Sequence, residues 1–148
     1  MTYLRSLLMF SAVLTASVVQ AQDRATSSFA TPLAKIELQE GDTLVFLGDS
    51  ITHQCLYTQY VEDFFYTRYP HARIRFHNAG VGGDRARDAL VRFEEDVARY
   101  KPKYVTILLG MNDGSYTDFQ HEIFDTYQQD MTELLDRLRA IDASAIPM

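Results

Sequence analysis

Beyond residue 42 the chain alternates short apolar runs with longer stretches in which apolar residues recur every three to four positions. Thr43 leads into Leu44-Val45-Phe46-Leu47, an unbroken apolar run of the length expected for a buried strand. From Gln54 to about Tyr69, the residues Leu56, Tyr57, Tyr60, Val61, Phe64 and Phe65 keep helical spacing, which predicts a helix with that face turned inward. Pro70 closes it, because the residue before a proline is pushed out of the helical region. Residues 73–77 alternate charged and apolar side chains, the pattern of a strand nearer a sheet edge. Asp84 is placed to cap a second helix with Ala86, Ala89, Leu90, Phe93 and Val97 on its inner face, ending at Lys101-Pro102-Lys103. Tyr104-Val105-Thr106-Ile107-Leu108-Leu109 is the clearest buried strand, β-branched and uncharged. A loop over 110–118 leads to a third helix carrying Phe124, Tyr127, Met131, Leu134, Leu135, Leu138 and Ile141. Ala145-Ile146-Pro147-Met148 then opens a fourth strand.

Strand–helix units at this spacing imply parallel pairing through right-handed crossovers, with helices on both faces. The expected fold is an α/β class, three-layer α/β/α sandwich around a flavodoxin-like parallel sheet. Three strands and the start of a fourth make a narrow sheet, so residues 43–148 are expected to form a C-terminally truncated domain.

Parallel strands deliver their C-terminal ends to one rim, where open α/β sheets bind ligands. Here those ends are Gly48-Asp49-Ser50, Asn78-Ala79-Gly80-Val81-Gly82-Gly83-Asp84 and Gly110-Met111-Asn112-Asp113-Gly114. A serine hydroxyl, a glycine-rich backbone and a carboxamide on one rim fit acyl transfer, in which the hydroxyl attacks a carbonyl and fixed donors hold the oxyanion. Taken singly, each segment has a plainer explanation. Ser50 can cap the next helix, residues 80–83 can be a tight turn, and Asn112-Asp113-Gly114 is a turn signal whatever its function. Their co-occurrence favours a site.

These three segments resemble, in order and spacing, the first three sequence blocks of the SGNH, or GDSL-type, hydrolases. The resemblance implies hydrolysis of carboxylic esters without a metal or other cofactor. It implies that Ser50 is the nucleophile and, through its own N–H, an oxyanion donor, with Gly83 as a backbone donor and Asn112 as a side-chain donor. Asp49, Asn78, Asp84 and Asp113 fall in supporting positions of the same blocks. The family's general base comes from a late Asp-x-x-His block, and this chain reaches residue 148 first. Asp118-Phe119-Gln120-His121 has the spelling but opens the third helix, so His121 is expected to be a surface histidine. His53 stands too near Ser50 for a base, His71 and His77 are expected at the surface, and Cys55 is expected to pack as a small buried hydrophobe. The expectation is thus the N-terminal portion of a serine esterase acting on a carbohydrate ester or a lysophospholipid. The alternative from another class is a ligand-binding domain that keeps the rim without the base. Nucleotide binding is disfavoured, because Gly80 and Gly82 begin a G-x-G-x-x-G pattern that Arg85 breaks.

Composition narrows the partners further. A formal net charge of −6 argues against nucleic acid or an anionic membrane surface, both of which need a basic patch. Arg5 followed by an apolar run and Val19-Gln20-Ala21 reads as a signal peptide over 1–21, cleaved after Ala21, which implies a secreted or periplasmic protein without stable membrane association. Residues 22–42 read as a linker. One cysteine excludes an internal disulfide.

Overall fold

The computed structural model describes residues 37–148; the expected signal peptide and most of the linker lie outside them. Four strands form one parallel sheet in the order β2-β1-β3-β4. They are β1 (Thr43–Gly48), β2 (Arg75–Gly80), β3 (Tyr104–Leu108) and β4 (Ser144–Pro147). The sheet register aligns Gly48 with Gly80 on one side and with Leu108 on the other, so the three strands end level. β1 is central, and all six of its residues are buried. β2 lies at an edge, as its mixed pattern predicts, but runs three residues beyond the predicted end at His77.

The helices are α1 (Ser50–His53), α2 (Leu56–Arg68), α3 (Ala86–Val91), α4 (Phe93–Asp96) and α5 (His121–Ala140), with short 3-10 turns at Pro70–Ala72 and Ala98–Tyr100. Alternation along β1 divides its side chains between two layers. Val45 and Leu47 face a core shared with Ala89, Leu90, Phe93, Val97, Val105, Ile107, Leu134 and Leu138. Leu44 and Phe46 face the other side, where Tyr57, Val61 and Phe76 pack. Each fully buried Leu, Val or Phe contributes about 1.5–3 kcal/mol by leaving water, so these layers hold the sheet between its helices. Arg87 pairs with the buried Asp130, and Arg137 donates to the Leu90 carbonyl at 2.9 Å, tying α3 to α5.

Two predicted helices differ from what forms. The stretch from Asp84 to Tyr100 is not one helix: it breaks at Arg92, whose φ of −100° and ψ of 9° end α3 and start α4. Asp84 does not cap it either. Arg85 occupies that position, its N–H held by the Asp88 carboxylate at 3.0 Å, while Asp84 is buried beside Arg92. The helix predicted from Gln54 starts at Leu56, and its buried stripe is narrower than the spacing implies. Tyr57, Val61 and Phe65 pack inward, whereas Leu56, Tyr60 and Phe64 are 64%, 79% and 50% exposed. Phe124 likewise is exposed on α5.

Candidate active site

β1 stops at Gly48 because the chain must turn sharply there. A Cβ on Gly48 would lie 2.1 Å from Thr52 Oγ1 and 2.8 Å from the Leu108 carbonyl. Asp49 follows, 1% exposed, with its N–H donating to the Leu108 carbonyl at 3.3 Å and its carboxylate accepting from Ile51 N–H at 2.9 Å. Asp49, not Ser50, is therefore the cap. That leaves Ser50 as the first residue of α1, half-buried at the end of the central strand. As the first helical residue, its N–H has no acceptor within the helix.

The second segment is fastened to the first by a side chain. Asn78 donates to the Thr52 carbonyl at 2.7 Å, and its own carboxamide oxygen accepts from Gly80 N–H at 2.8 Å. Gly80 is pressed against α1. The chain then turns, with Val81 N–H on the Gly48 carbonyl at 3.0 Å and Asp84 N–H on the Val81 carbonyl at 3.3 Å. Gly83 supplies the left-handed φ of +86° that this turn requires, and it is exposed on the rim.

The third segment joins the other two. Asn112 Nδ2 donates to the Asp84 carbonyl at 2.9 Å and lies 3.4 Å from the Asp49 carboxylate. One carboxamide thus touches the chain neighbour of Ser50 and the chain neighbour of Gly83. Asp113 turns the other way and accepts from Ala86 N–H, the first amide of α3, at 2.9 Å. Burial pushes the Asp113 carboxyl above the usual carboxylate range, while the amides of Ala86, Asp113 and Gly110 and the charge of Arg85 act against that shift. Beside it lies an open cavity of about 340 Å3, lined by Asp113, Thr117, Asp118, Phe119, Phe124 and Tyr127 among others.

The histidines take separate places. His53 Nδ1 lies 3.1 Å from the Gly80 carbonyl, His121 packs edge-on against Phe119 at the exposed start of α5, and His71 is exposed. His77 departs from the surface placement expected for it: it is half-buried, stacked on Tyr100 with ring centroids 3.7 Å apart. Among the described residues, no histidine ring is hydrogen-bonded to Ser50. Cys55 is not a buried hydrophobe either. It is half-buried, has a left-handed φ of 63°, and its sulfur meets Asn78 Nδ2 and the His53 carbonyl, each at 3.3 Å. Its sequence position within a helical pattern hides that polar setting. Among the described residues, no group of three or more His, Cys, Asp or Glu is placed to hold a metal ion. None of their helices is long and apolar enough to cross a membrane.

Arg92 is the residue that sequence reasoning missed. With only 16% of its side chain exposed, its Nε donates to Asp84 Oδ2 at 2.7 Å and its NH1 to Asp96 at 3.0 Å. Its NH2 meets the Ala79 carbonyl at 2.8 Å and the Gly48 carbonyl at 3.4 Å. The available signal was a lone arginine between Leu90 and Phe93, two inward-facing positions.

Residues 46–148 match the family model described as the GDSL-like Lipase/Acylhydrolase family. An acetylxylan esterase from Geobacillus stearothermophilus is 35% identical over a stretch covering 53% of this chain and 42% of that protein. A crystal structure of acetylxylan esterase from the same organism superposes with a TM-score of 0.66 at 30% identity, covering 76% of this chain and 61% of that one. Matching structures from that organism include catalytic mutants in which a serine, an aspartate or a histidine three positions after that aspartate is replaced by alanine. An uncharacterised lipoprotein of Bacillus subtilis (strain 168) is 50% identical over 38 residues, which are 26% of this chain and 16% of that protein. The chain spans less than two thirds of the length of these relatives.

Proposed function

Because the chain belongs to the GDSL-like lipase/acylhydrolase family, we propose that it carries the nucleophile and oxyanion donors of a carboxylic ester hydrolase, with an acetylated carbohydrate as substrate. Ser50 Oγ attacks the ester carbonyl carbon as its proton passes to a general base. The carbonyl oxygen gathers negative charge and is held by the N–H groups of Ser50 and Gly83 and by Asn112 Nδ2. Collapse breaks the bond from the carbonyl carbon to the sugar oxygen, which leaves as a hydroxyl with the proton returned by the base; water then hydrolyses the acetyl-serine to acetate and free Ser50.

The observation that carries this reading is the double contact of Asn112 Nδ2, at 2.9 Å to the Asp84 carbonyl and 3.4 Å to Asp49. The shorter bond orients the carboxamide. The longer is beyond the usual range for an N–H donor, so the second hydrogen is available to a developing oxyanion. Donors fixed before the reaction need no reorganisation during it.

The base is the part we assign outside the rim described above. An aspartate and a histidine three positions apart are replaced in catalytic mutants of the matched acetylxylan esterase, and that arrangement fits the Asp-x-x-His block. We assign the base to the portion of the relatives' length that these residues do not span. The acetylxylan esterase relatives support the carbohydrate ester over a lysophospholipid. The signal-like pattern of residues 1–21 and the lipoprotein relative support a location outside the cytoplasm or at the cell envelope.

The test is covalent trapping. The protein expressed from its gene, treated with a fluorophosphonate, is expected to gain one adduct that peptide mass spectrometry places on Ser50. An adduct on another residue, with Ser50 unmodified, overturns the assignment.

A further inference from the structure

We propose that Arg92 is a positioning residue for the oxyanion donors, acting through Asp84 and the strand ends; this rests on the ester-hydrolase reading above. The break between α3 and α4 falls at Arg92, between the buried Ala89, Leu90 and Phe93 of the inner face. Its guanidinium reaches the ends of β1 and β2, and its side chain is 16% exposed. Nε and NH2 then address different parts of the rim. Nε binds the Asp84 carboxylate, while NH2 binds the carbonyl of Ala79 in β2 and lies 3.4 Å from that of Gly48 in β1.

Asp84 is the hinge of this arrangement. Its side chain is held by Arg92, its carbonyl receives Asn112 Nδ2, and its N–H closes the turn that presents Gly83. Two of the three proposed donors therefore depend on where Asp84 sits. Gly48, the third anchor, immediately precedes Asp49 and Ser50. A planar guanidinium suits this task, because its donors leave in fixed directions and reach carboxylate and carbonyl together. Lysine keeps the charge but offers a compact, rotatable group that cannot make all three contacts in one geometry. Asp96 is held by NH1, which touches neither Asp84 nor the strand-end carbonyls, and its own side chain is 39% exposed, so it serves as an internal control.

The experiment compares Arg92→Lys with Asp96→Asn in the protein expressed from its gene, by two readouts. In hydrolysis of p-nitrophenyl acetate, Arg92→Lys is expected to lower kcat about tenfold or more with KM within about twofold, because donor placement acts on the transition state rather than on ground-state binding. Asp96→Asn stays within about twofold of wild type. In nitrogen-edited NMR spectra, the Asn112 side-chain signals and the Gly83 amide shift in Arg92→Lys and stay in place in Asp96→Asn. Unmoved Asn112 and Gly83 signals in a folded Arg92→Lys protein overturn the proposal, as does an unchanged kcat. The two readings fail differently. Signals that move in a protein whose wild type hydrolyses no ester keep the positioning role and remove the esterase. An active wild type whose Arg92→Lys variant is equally active and spectrally unchanged does the reverse.

Discussion

Gly80 leaves no room for a side chain beneath His53: a Cβ built on Gly80 would lie 2.3 Å from the His53 backbone nitrogen and 2.6 Å from the Thr52 carbonyl carbon. Both obstructing atoms are backbone, so no rotamer change relieves the overlap. Gly80→Ala is therefore expected to push α1 off the end of β2 and lower the melting temperature sharply, or to prevent soluble expression. Gly83→Ala is the contrasting case. Nothing lies within 4 Å of its Cβ, and only the φ of +86° resists, at about 1–2 kcal/mol. Thermal unfolding of the two variants side by side checks the difference in size.

Asp49 holds the start of α1 through Ile51 N–H and stands 3.4 Å from Asn112 Nδ2. Asp49→Ala removes the cap, for which about 0.5–2 kcal/mol is the usual loss. Asp49→Asn keeps an oxygen that can accept from Ile51 N–H. Denaturant titration is expected to show a clear loss for alanine and a small one for asparagine.

Asn112→Ala removes a donor that the proposed mechanism uses most in the transition state. The expected result is a fall in kcat of about 100- to 1000-fold with little change in KM. Steady-state kinetics on p-nitrophenyl acetate separates this from a lost substrate contact, which would raise KM instead.

His77 gives a pH signature away from the rim. Burial pushes its imidazole below the usual range, Arg99 and Arg92 act in the same direction, and Asp96 opposes them. The folded protein thus takes up this proton at lower pH than the unfolded chain, whose histidine titrates near 6.5. Its contribution to stability is fully present above that value and declines as pH falls toward the folded pKa. His77→Phe keeps a ring to stack on Tyr100 without the titration. Melting temperatures measured between about pH 7 and pH 5 are expected to fall less in the variant than in wild type; parallel slopes contradict the assignment.

How much of this was readable in the residues differs from element to element. The apolar run from Leu44 to Leu47 and the β-branched run at Tyr104 announce buried parallel strands, because both faces of such strands meet helices. The meeting of the three polar segments follows from that, since parallel strands end on one side. The break at Arg92 was hidden because Ala89, Leu90, Phe93 and Val97 keep a regular apolar spacing through it. An apolar period records which residues are buried, not the ψ of the residue between them. For the same reason the Arg92–Asp96 pair reads as a surface i,i+4 ion pair, and nothing local reveals that the guanidinium also reaches Gly48, 44 positions earlier. Leu56, Tyr60 and Phe64 show the opposite failure: helical spacing marked them as inward, yet α2 meets the sheet through Tyr57, Thr58, Val61, Phe65 and the edge of Tyr66.

The most direct measurement is the rate of acetyl ester hydrolysis before and after Ser50 loses its hydroxyl. With p-nitrophenyl acetate, the protein expressed from its gene is expected to turn over, and Ser50→Ala is expected to lower kcat at least about 1000-fold while remaining folded. A folded Ser50→Ala protein that hydrolyses the ester at the wild-type rate contradicts the account.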